Sequence, residues 1–454
     1  MKKSVILCTG AVLLGLTSCQ QRLDVQPTQT IDQNTAFNSS KDVEAALTGA
    51  YDGLQTDNYS GAFQYTSELL AAVSTEVRFG GTFSNLQELY RKEITTINST
   101  AETTWLNSYV VINRVNNVLT NIDKVDAAKR NRVEGEARFI RGAVYFELAR
   151  LYGRQWGDGD NAANPAVPIV LTPTTAVTDA NKLARSSVAE LYALSIDELT
   201  KAEGLLPANN GYYASKTTAA AILSRLYLQQ GNFTGARDAA NRVITSGKYR
   251  LATTFDQAFN SKLTSGGANS PEYVFAIQVN DQDGTNGMNT YFGTTIGSIP
   301  GTAGRGDIRI QPGFIGLYEP SDVRGTFFTK AGANTFTNKF LDRFGHVPVV
   351  RLAEVILTRA EANLRLRSSV GATPLDDINS IRARAGAKVL TTVDLNAILK
   401  ERRLELAFEG FALNDIKRTQ GTVGTLPYNS PKLILPVPQR EIDVNKQLKQ
   451  NEGY

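Results

Sequence analysis

Glu401, Glu405 and Glu409 recur at four-residue steps, with Lys400, Arg402, Arg403 and Arg418 set among them. Carboxylates repeated in this way are the first place to look for acid/base chemistry, and their spacing speaks against it. Residues four apart on a helix sit side by side, about 6 Å apart, whereas glycoside hydrolysis needs two carboxyl groups facing each other across a sugar. The interleaved cations predict ion pairs instead, within the helix or against a neighbouring one, and no catalytic residue is assigned. Other reactive groups are scarce: Cys8 and Cys19 are the only cysteines, and His346 is the only histidine. A Ser-His-Asp triad would depend on His346 alone, which reads as a structural residue. Residues 301–306 have the glycines of a phosphate loop but neither its Gly-Lys-Ser/Thr ending nor a strand-to-helix setting. Arg305-Gly306-Asp307 matches an adhesion tripeptide only at chance level.

Binding chemistry has better candidates, because flat rings stack on sugar faces or apolar side chains while nearby Asn, Asp and Arg bond polar groups. One cluster is Tyr59, Phe63, Tyr65, Phe79 and Phe83, with Asp57, Asn58 and Arg78 interleaved. The second is Tyr291 and Phe292, with Asn289, Arg305 and Arg309. Tyr59, Phe63, Tyr65, Arg78, Phe79, Phe83, Asn289, Tyr291, Phe292 and Arg305 are the candidate ligand residues. Any one of these rings could instead anchor a loop to the core. Trp105 and Trp156 lie in or beside helical core segments, so no broad tryptophan platform for a polymeric sugar is visible.

The N-terminus sets the compartment in which such residues would work. Lys2 and Lys3 precede an apolar run from Val5 to Leu16, which ends in Leu16-Thr17-Ser18-Cys19. That run is roughly a dozen residues, whereas a membrane-spanning helix needs about 20. It reads as a secretory signal, 1–18, with small residues before Cys19 forming a lipobox. Lipidation of Cys19 by two or three acyl chains would by itself tether the chain. Loss of Cys8 with the signal and acylation of Cys19 would leave no thiol for a disulfide, a nucleophile or a metal. No metal and no cofactor is expected. The 48 basic and 44 acidic residues give a net charge of +4, and losing Lys2 and Lys3 would lower it to +2. Nothing resembles the basic stripe that neutralising phosphates demands, so nucleic acid is not an expected partner.

Residues 19–30 read as a flexible leader containing Pro27. Helices then dominate. Over 105–122, Trp105, Tyr109, Ile112 and Leu119 share a face, and 133–152 is apolar on two sides, which places it in the core. Ser186 or Ser187 caps a helix that stops at Pro207. The segments 219–230 and 234–246, joined by Gly231-Asn232-Phe233, form a tetratricopeptide-type hairpin. Further helices are expected at 349–367, 375–385 and 395–418. Between 249 and 347 the chain turns rich in Gly, Thr, Asn and Ser, with one clear strand at 273–279. So long an irregular stretch is rare unless it is functional. Prolines hold the apolar run 433–438 extended, laid across the helices.

Several segments, taken in order, carry a resemblance. They are Ala137-Arg-Phe-Ile-Arg-Gly-Ala-Val-Tyr-Phe-Glu-Leu-Ala-Arg-Leu-Tyr-Gly153, Arg351-Leu-Ala-Glu-Val-Ile-Leu-Thr-Arg-Ala-Glu-Ala-Asn363 and Asn379-Ser-Ile-Arg-Ala-Arg-Ala-Gly386. Glu401-Arg-Arg-Leu-Glu-Leu-Ala-Phe-Glu-Gly410 and Leu435-Pro-Val-Pro-Gln-Arg-Glu-Ile442 with Asn445 complete them. Behind a lipobox, this pattern resembles the RagB/SusD family of surface nutrient-binding lipoproteins. The resemblance implies a mostly α fold of tetratricopeptide-like helical pairs, with a long loop-rich region of minor β. It divides the chain into an N-terminal helical region, 31–248, and a C-terminal region, 249–454. The latter comprises irregular 249–347, helical 348–418 and an extended tail 431–454. It further implies an outer-membrane, non-catalytic protein that captures oligosaccharide, or in some members peptide, as the lid of a SusC-like TonB-dependent transporter. Its helical motifs belong to the scaffold, so the aromatic clusters rest on their own chemistry. A surface glycoside hydrolase and a purely protein-binding scaffold are the alternatives.

Overall fold

Residues 36–176, 178–259, 268–294 and 304–454 are described in the computed structural model. The expected signal 1–18, Cys19 and the leader 20–30 lie outside the described residues, as do 301–303 of the glycine-rich stretch. Ser39 opens α1 (Ser40–Gly53) through a capping box with Asp42. A π-helical segment, Leu54–Ala62, then leads into α2 (Phe63–Ala71). After β1 (Val77–Phe79) and α3 (Ser84–Arg91) come two long helices, α4 (Ser99–Thr120), capped by Asn98, and α5 (Ala127–Tyr152). Every residue of α5 from Phe139 to Tyr152 is buried, as its two apolar stripes require.

Ser187, not Ser186, caps α6 (Val188–Leu205), with Glu190 completing a capping box. This helix crosses α5 so closely that a Cβ on Gly142 would lie 3.0 Å from Leu199 Cγ. Ser215 caps α7 (Lys216–Gln230), and Asn232 caps α8 (Phe233–Thr245) directly after Gly231 turns the chain at φ 74°. Buried Ala219, Ala220 and Ala221 on one helix and Ala236, Ala239 and Ala240 on the other let the pair pack as the expected hairpin.

The stretch 249–347 holds more strand than its sequence reveals. Besides β2 (Tyr273–Ile277) it contains α9 (Gly287–Phe292), β3 (Ile308–Ile310), α10 (Pro312–Ile315), β4 (Phe328–Ala331) and β5 (Asn334–Thr337). It runs into β6 (Val347–Arg351). β1, β3, β5 and β4 form an antiparallel sheet in that order, and β2 pairs with β6. Such short strands leave little room for a two-residue period to register. His346 has the structural role expected of it, since its Nδ1 accepts a hydrogen bond from the Val279 amide at 3.0 Å beside the β2–β6 pair.

α11 (Leu352–Leu366), α12 (Pro374–Arg384), α13 (Leu395–Glu405) and α14 (Ala412–Arg418) complete the helical body. The single helix expected over 395–418 is therefore two. Between them Phe408 (φ 67°) and Gly410 (φ 89°) adopt left-handed backbone, and a Cβ on Gly410 would lie 2.8 Å from Gln64 Cα. Only glycine lets this turn sit against α2. The tail binds as expected across α5, Leu435 N donating to Leu151 O at 2.8 Å. It is not extended throughout, because α15 (Gln439–Val444) forms within it.

Of the two arrangements expected for the ion pairs of the three glutamates, the one against neighbouring elements forms, with Arg382 and Arg384 of α12 among the partners. Glu401, Glu405 and Glu409 are buried, and their partners come from other elements rather than from their own helix. Arg382 meets Glu401 at 2.8 Å, Arg324 meets Glu405 at 3.1 Å, and Lys339 and Arg351 each meet Glu409 at 2.7 Å. They form the hub of an ion-pair network joining the C-terminal elements. No helix among the described residues is long and apolar enough to cross a membrane.

Candidate functional site

Two glycines and one strand pair bring distant aromatic residues together. Gly61, at φ 148°, packs on Gly287 so tightly that a Cβ there would lie 3.0 Å from the Gly287 backbone. That contact seats the first turn of α2 against α9, and the rings of Tyr65 and Tyr291 meet edge to face at 4.8 Å. The β1–β3 pairing aligns Val77, Arg78 and Phe79 with Ile310, Arg309 and Ile308. The chain leaving β1 therefore runs beside the chain entering β3, with Gly80 N bonded to Asp307 O at 2.7 Å. Phe83, at the start of α3, thereby reaches Tyr291 (6.2 Å between ring centres, 83°), and the Arg305 guanidinium lies 4.4 Å from the centre of the Phe83 ring. Asp307 fixes Arg305 through a 3.0 Å ion pair.

Tyr65, Phe83, Tyr291 and Arg305 thus join the two sequence clusters in one patch, with Phe83 and Arg305 exposed and both tyrosines half-buried. Edge-to-face rings held by helices and a strand pair offer a preorganised apolar surface, and the neighbouring guanidinium can bond hydroxyl or anionic groups.

Burial removes the other candidates from the surface. Tyr59 is buried and donates its hydroxyl to Ala143 O at 3.2 Å. Phe63 packs edge-on against it at 4.9 Å, and Phe79 points inward from β1. Phe292 is buried against Phe340 and Phe408. Asn289 is fully buried and donates Nδ2 to the Phe340 and Leu341 carbonyls, which ties α9 to that loop. These five residues hold the scaffold under the patch. Asn58, buried as well, belongs with them. Arg78 stays exposed on β1, opposite Arg309.

Two concave surfaces escaped the sequence reading. A cleft of about 340 Å³ is lined by Asn209, Asn210, Tyr212, Tyr213, Lys248 and Tyr249. Its signal was present in Asn209-Asn210-Gly211-Tyr212-Tyr213, amides and paired rings in a loop between helices. A second cavity, about 520 Å³, lies between α2, α13 and α14, with Glu68, Phe314, Phe408 and Phe411 in its wall. Its walls come from distant parts of the chain, so no local pattern announces it.

Glu68 is buried, accepts the Gly410 amide at 2.7 Å and makes no ion pair among the described residues. Burial pushes its carboxyl up to about 7. The folded state then holds the proton more tightly than the unfolded chain, where the group titrates near 4.5. Stability from this group is present below that lower value and is lost as pH rises to about 7. Glu68→Gln should therefore unfold at higher urea than the wild type at pH 8, by up to about 3 kcal/mol, and gain little at pH 5. An equal difference at both pH values would show that the carboxyl is solvated.

Among the described residues no group of three or more His, Cys, Asp and Glu is arranged to hold a metal ion.

The chain matches two family models in sequence order. One, described as "Starch-binding associating with outer membrane", covers residues 22–228, and one described as "SusD family" covers residues 342–430. SusD-like protein P2 of Formosa agariphila is 24% identical over 98% of each chain. Among solved structures, a Bacteroides vulgatus ATCC 8482 protein named for sugar binding superposes with a TM-score of 0.81 at 27% identity, covering 92% of this chain and 100% of that one. A SusD-like carbohydrate binding protein from the same organism gives a TM-score of 0.71 at 25% identity over 85% of each chain. With models of this family matching residues 22–228 and 342–430 in order and the helical architecture shared, the chain belongs to the SusD/RagB family.

Proposed function

We propose that this protein is a surface-exposed, non-catalytic lipoprotein that binds oligosaccharides and hands them, as a lid, to a SusC-like TonB-dependent transporter in the outer membrane. The observation that carries the reading is the patch of Tyr65, Phe83 and Tyr291 beside Arg305, an accessible set of rings on a rigid frame. Family membership and the sugar and carbohydrate binding named for two related structures support it. The site draws on both regions of the proposed division, Tyr65 and Phe83 from 31–248 and Tyr291 and Arg305 from 249–454. Affinity would come from a few stacked rings and hydrogen bonds, modest enough for release. Cys19 carries the lipid, and the leader 19–30 keeps the body near its barrel, which raises its effective concentration there.

A glycan and peptide screen on the soluble chain lacking Cys19 tests the ligand class. Oligosaccharide binding is expected, and binding of peptides alone would replace it with the peptide-binding role. In cells, loss of the transporter should abolish uptake and leave ligand binding by the isolated protein intact. Cys19→Ala should impair uptake without weakening binding; unimpaired uptake would make the tether dispensable.

A further inference from the structure

Arg78 and Arg309 stand directly opposite each other across the β1–β3 pair, flanked along their strands by buried Val77, Phe79, Ile308 and Ile310. Like charges placed directly opposite on a strand pair repel. Neither residue makes an ion pair among the described residues. Arg309 spends its donors on the Gly80 carbonyl at 3.2 Å and the Gly306 carbonyl at 3.5 Å. Residues 295–303, which lie close in sequence, contain no acidic side chain. The buried side chains of Arg324, Arg351 and Arg384, by contrast, each meet more than one carboxylate.

Arg309 adjoins the aromatic patch, and Arg78 stands opposite it on β1. Arg309 packs over Gly80, Gly80 is bonded to Asp307, and Asp307 holds Arg305 on the Phe83 ring. Of the three guanidiniums only that of Arg305 meets a carboxylate among the described residues. From Arg78 to Phe83 the chain spans at most about 17 Å at strand spacing, a reach suited to an oligosaccharide. Guanidinium is the side chain best matched to carboxylate and sulfate oxygens, because its planar fork gives two parallel charge-assisted bonds.

We propose that the ligand of this patch is an anionic oligosaccharide, one bearing carboxylate or sulfate groups. Arg78 and Arg309 receive the charged group, and Tyr65, Phe83 and Tyr291 receive the sugar faces. The proposal rests on the reading of the patch as a glycan site and adds the charge of the glycan to it.

The test compares three probes on the soluble chain lacking Cys19 by calorimetry: an oligouronate, a sulfated galactan oligosaccharide and a neutral glucan of matching length. At least one charged probe should bind tenfold or more tightly than the neutral one at low salt, with a preference that shrinks as salt rises. The two charged arms show whether carboxylate or sulfate is the group received. Arg78→Ala/Arg309→Ala should bring the charged-to-neutral ratio towards one, and its thermal melt checks that it is folded. A wild-type ratio near one, or a ratio the double variant leaves intact, overturns the proposal while the glycan reading stands. Failure of all three probes to bind would remove the glycan reading as well.

Discussion

Arg351→Ala is expected to destabilise the fold by about 3–5 kcal/mol, the range found when one partner of a buried ion pair is deleted. Arg351 ends β6 and is 2% exposed. Its Nε donates to Glu409 Oε2 at 2.7 Å, Nη1 to Glu272 Oε2 at 2.7 Å, and Nη2 to Glu409 Oε1 at 2.8 Å and Glu405 Oε1 at 3.2 Å. Its guanidinium also lies 4.7 Å from the centre of the Phe259 ring. The cost of the deletion comes from what stays behind: three carboxylates fixed in place with one cation fewer. Burial raises the Glu405 carboxyl, but Arg384, Arg351 and Arg324 outweigh that and hold it far below the usual carboxylate range. A depressed folded value means stability that is present above the unfolded value and lost as pH falls. In Arg351→Ala this acid loss should weaken. Urea unfolding at pH 7 measures the main effect, and a midpoint loss worth under about 1 kcal/mol would mean the network is hydrated rather than buried.

Tyr291→Ala is expected to weaken oligosaccharide binding by about 2 kcal/mol, roughly thirtyfold in Kd, the scale of a central interface aromatic. Its ring meets both Tyr65 and Phe83 edge to face, so its removal takes one aromatic contact from each. Because Tyr291 is only half-buried, the melting temperature should move little, which separates a binding defect from a folding defect. Tyr212→Ala, in the separate 340 Å³ cleft, serves as the comparison. Calorimetry of both variants decides between the two surfaces. Equal affinity in wild type and Tyr291→Ala, with loss in Tyr212→Ala, would move the site to the cleft.

The helices were legible because their information is local. The two apolar stripes of 133–152, the Ser187 cap and the Gly231 turn each act within a few residues, and each is present in the fold. The break after Glu405 was not legible, because Leu406-Ala407-Phe408 is good helical sequence. What ends the helix is a long-range requirement, the contact of Gly410 with Gln64. The strands of the 249–347 stretch were hidden for the same reason. β3 is three residues long and is defined by partners more than twenty residues away in β5 and over two hundred away in β1.

The site divides along the same line. Aromatic composition located both clusters, and Tyr65, Phe83, Tyr291 and Arg305 do meet. Composition could not separate Tyr65 from Tyr59, six positions earlier on the same stretch, because which ring reaches solvent depends on α5 and α9 packing around them. Tyr59 bonds Ala143 on α5, whereas Tyr65 faces Tyr291 on α9. The Arg78–Arg309 pair is likewise visible only in the register of two strands.

The most direct test of the central claim is a crystal structure of the soluble chain, lacking Cys19, grown with the oligosaccharide that binds it most tightly. Density for a sugar ring against Tyr65, Phe83 and Tyr291 is the predicted result. A sugar seated beside Tyr212 and Tyr213, or in the cavity beside Glu68, with the Tyr291 patch empty, would contradict it.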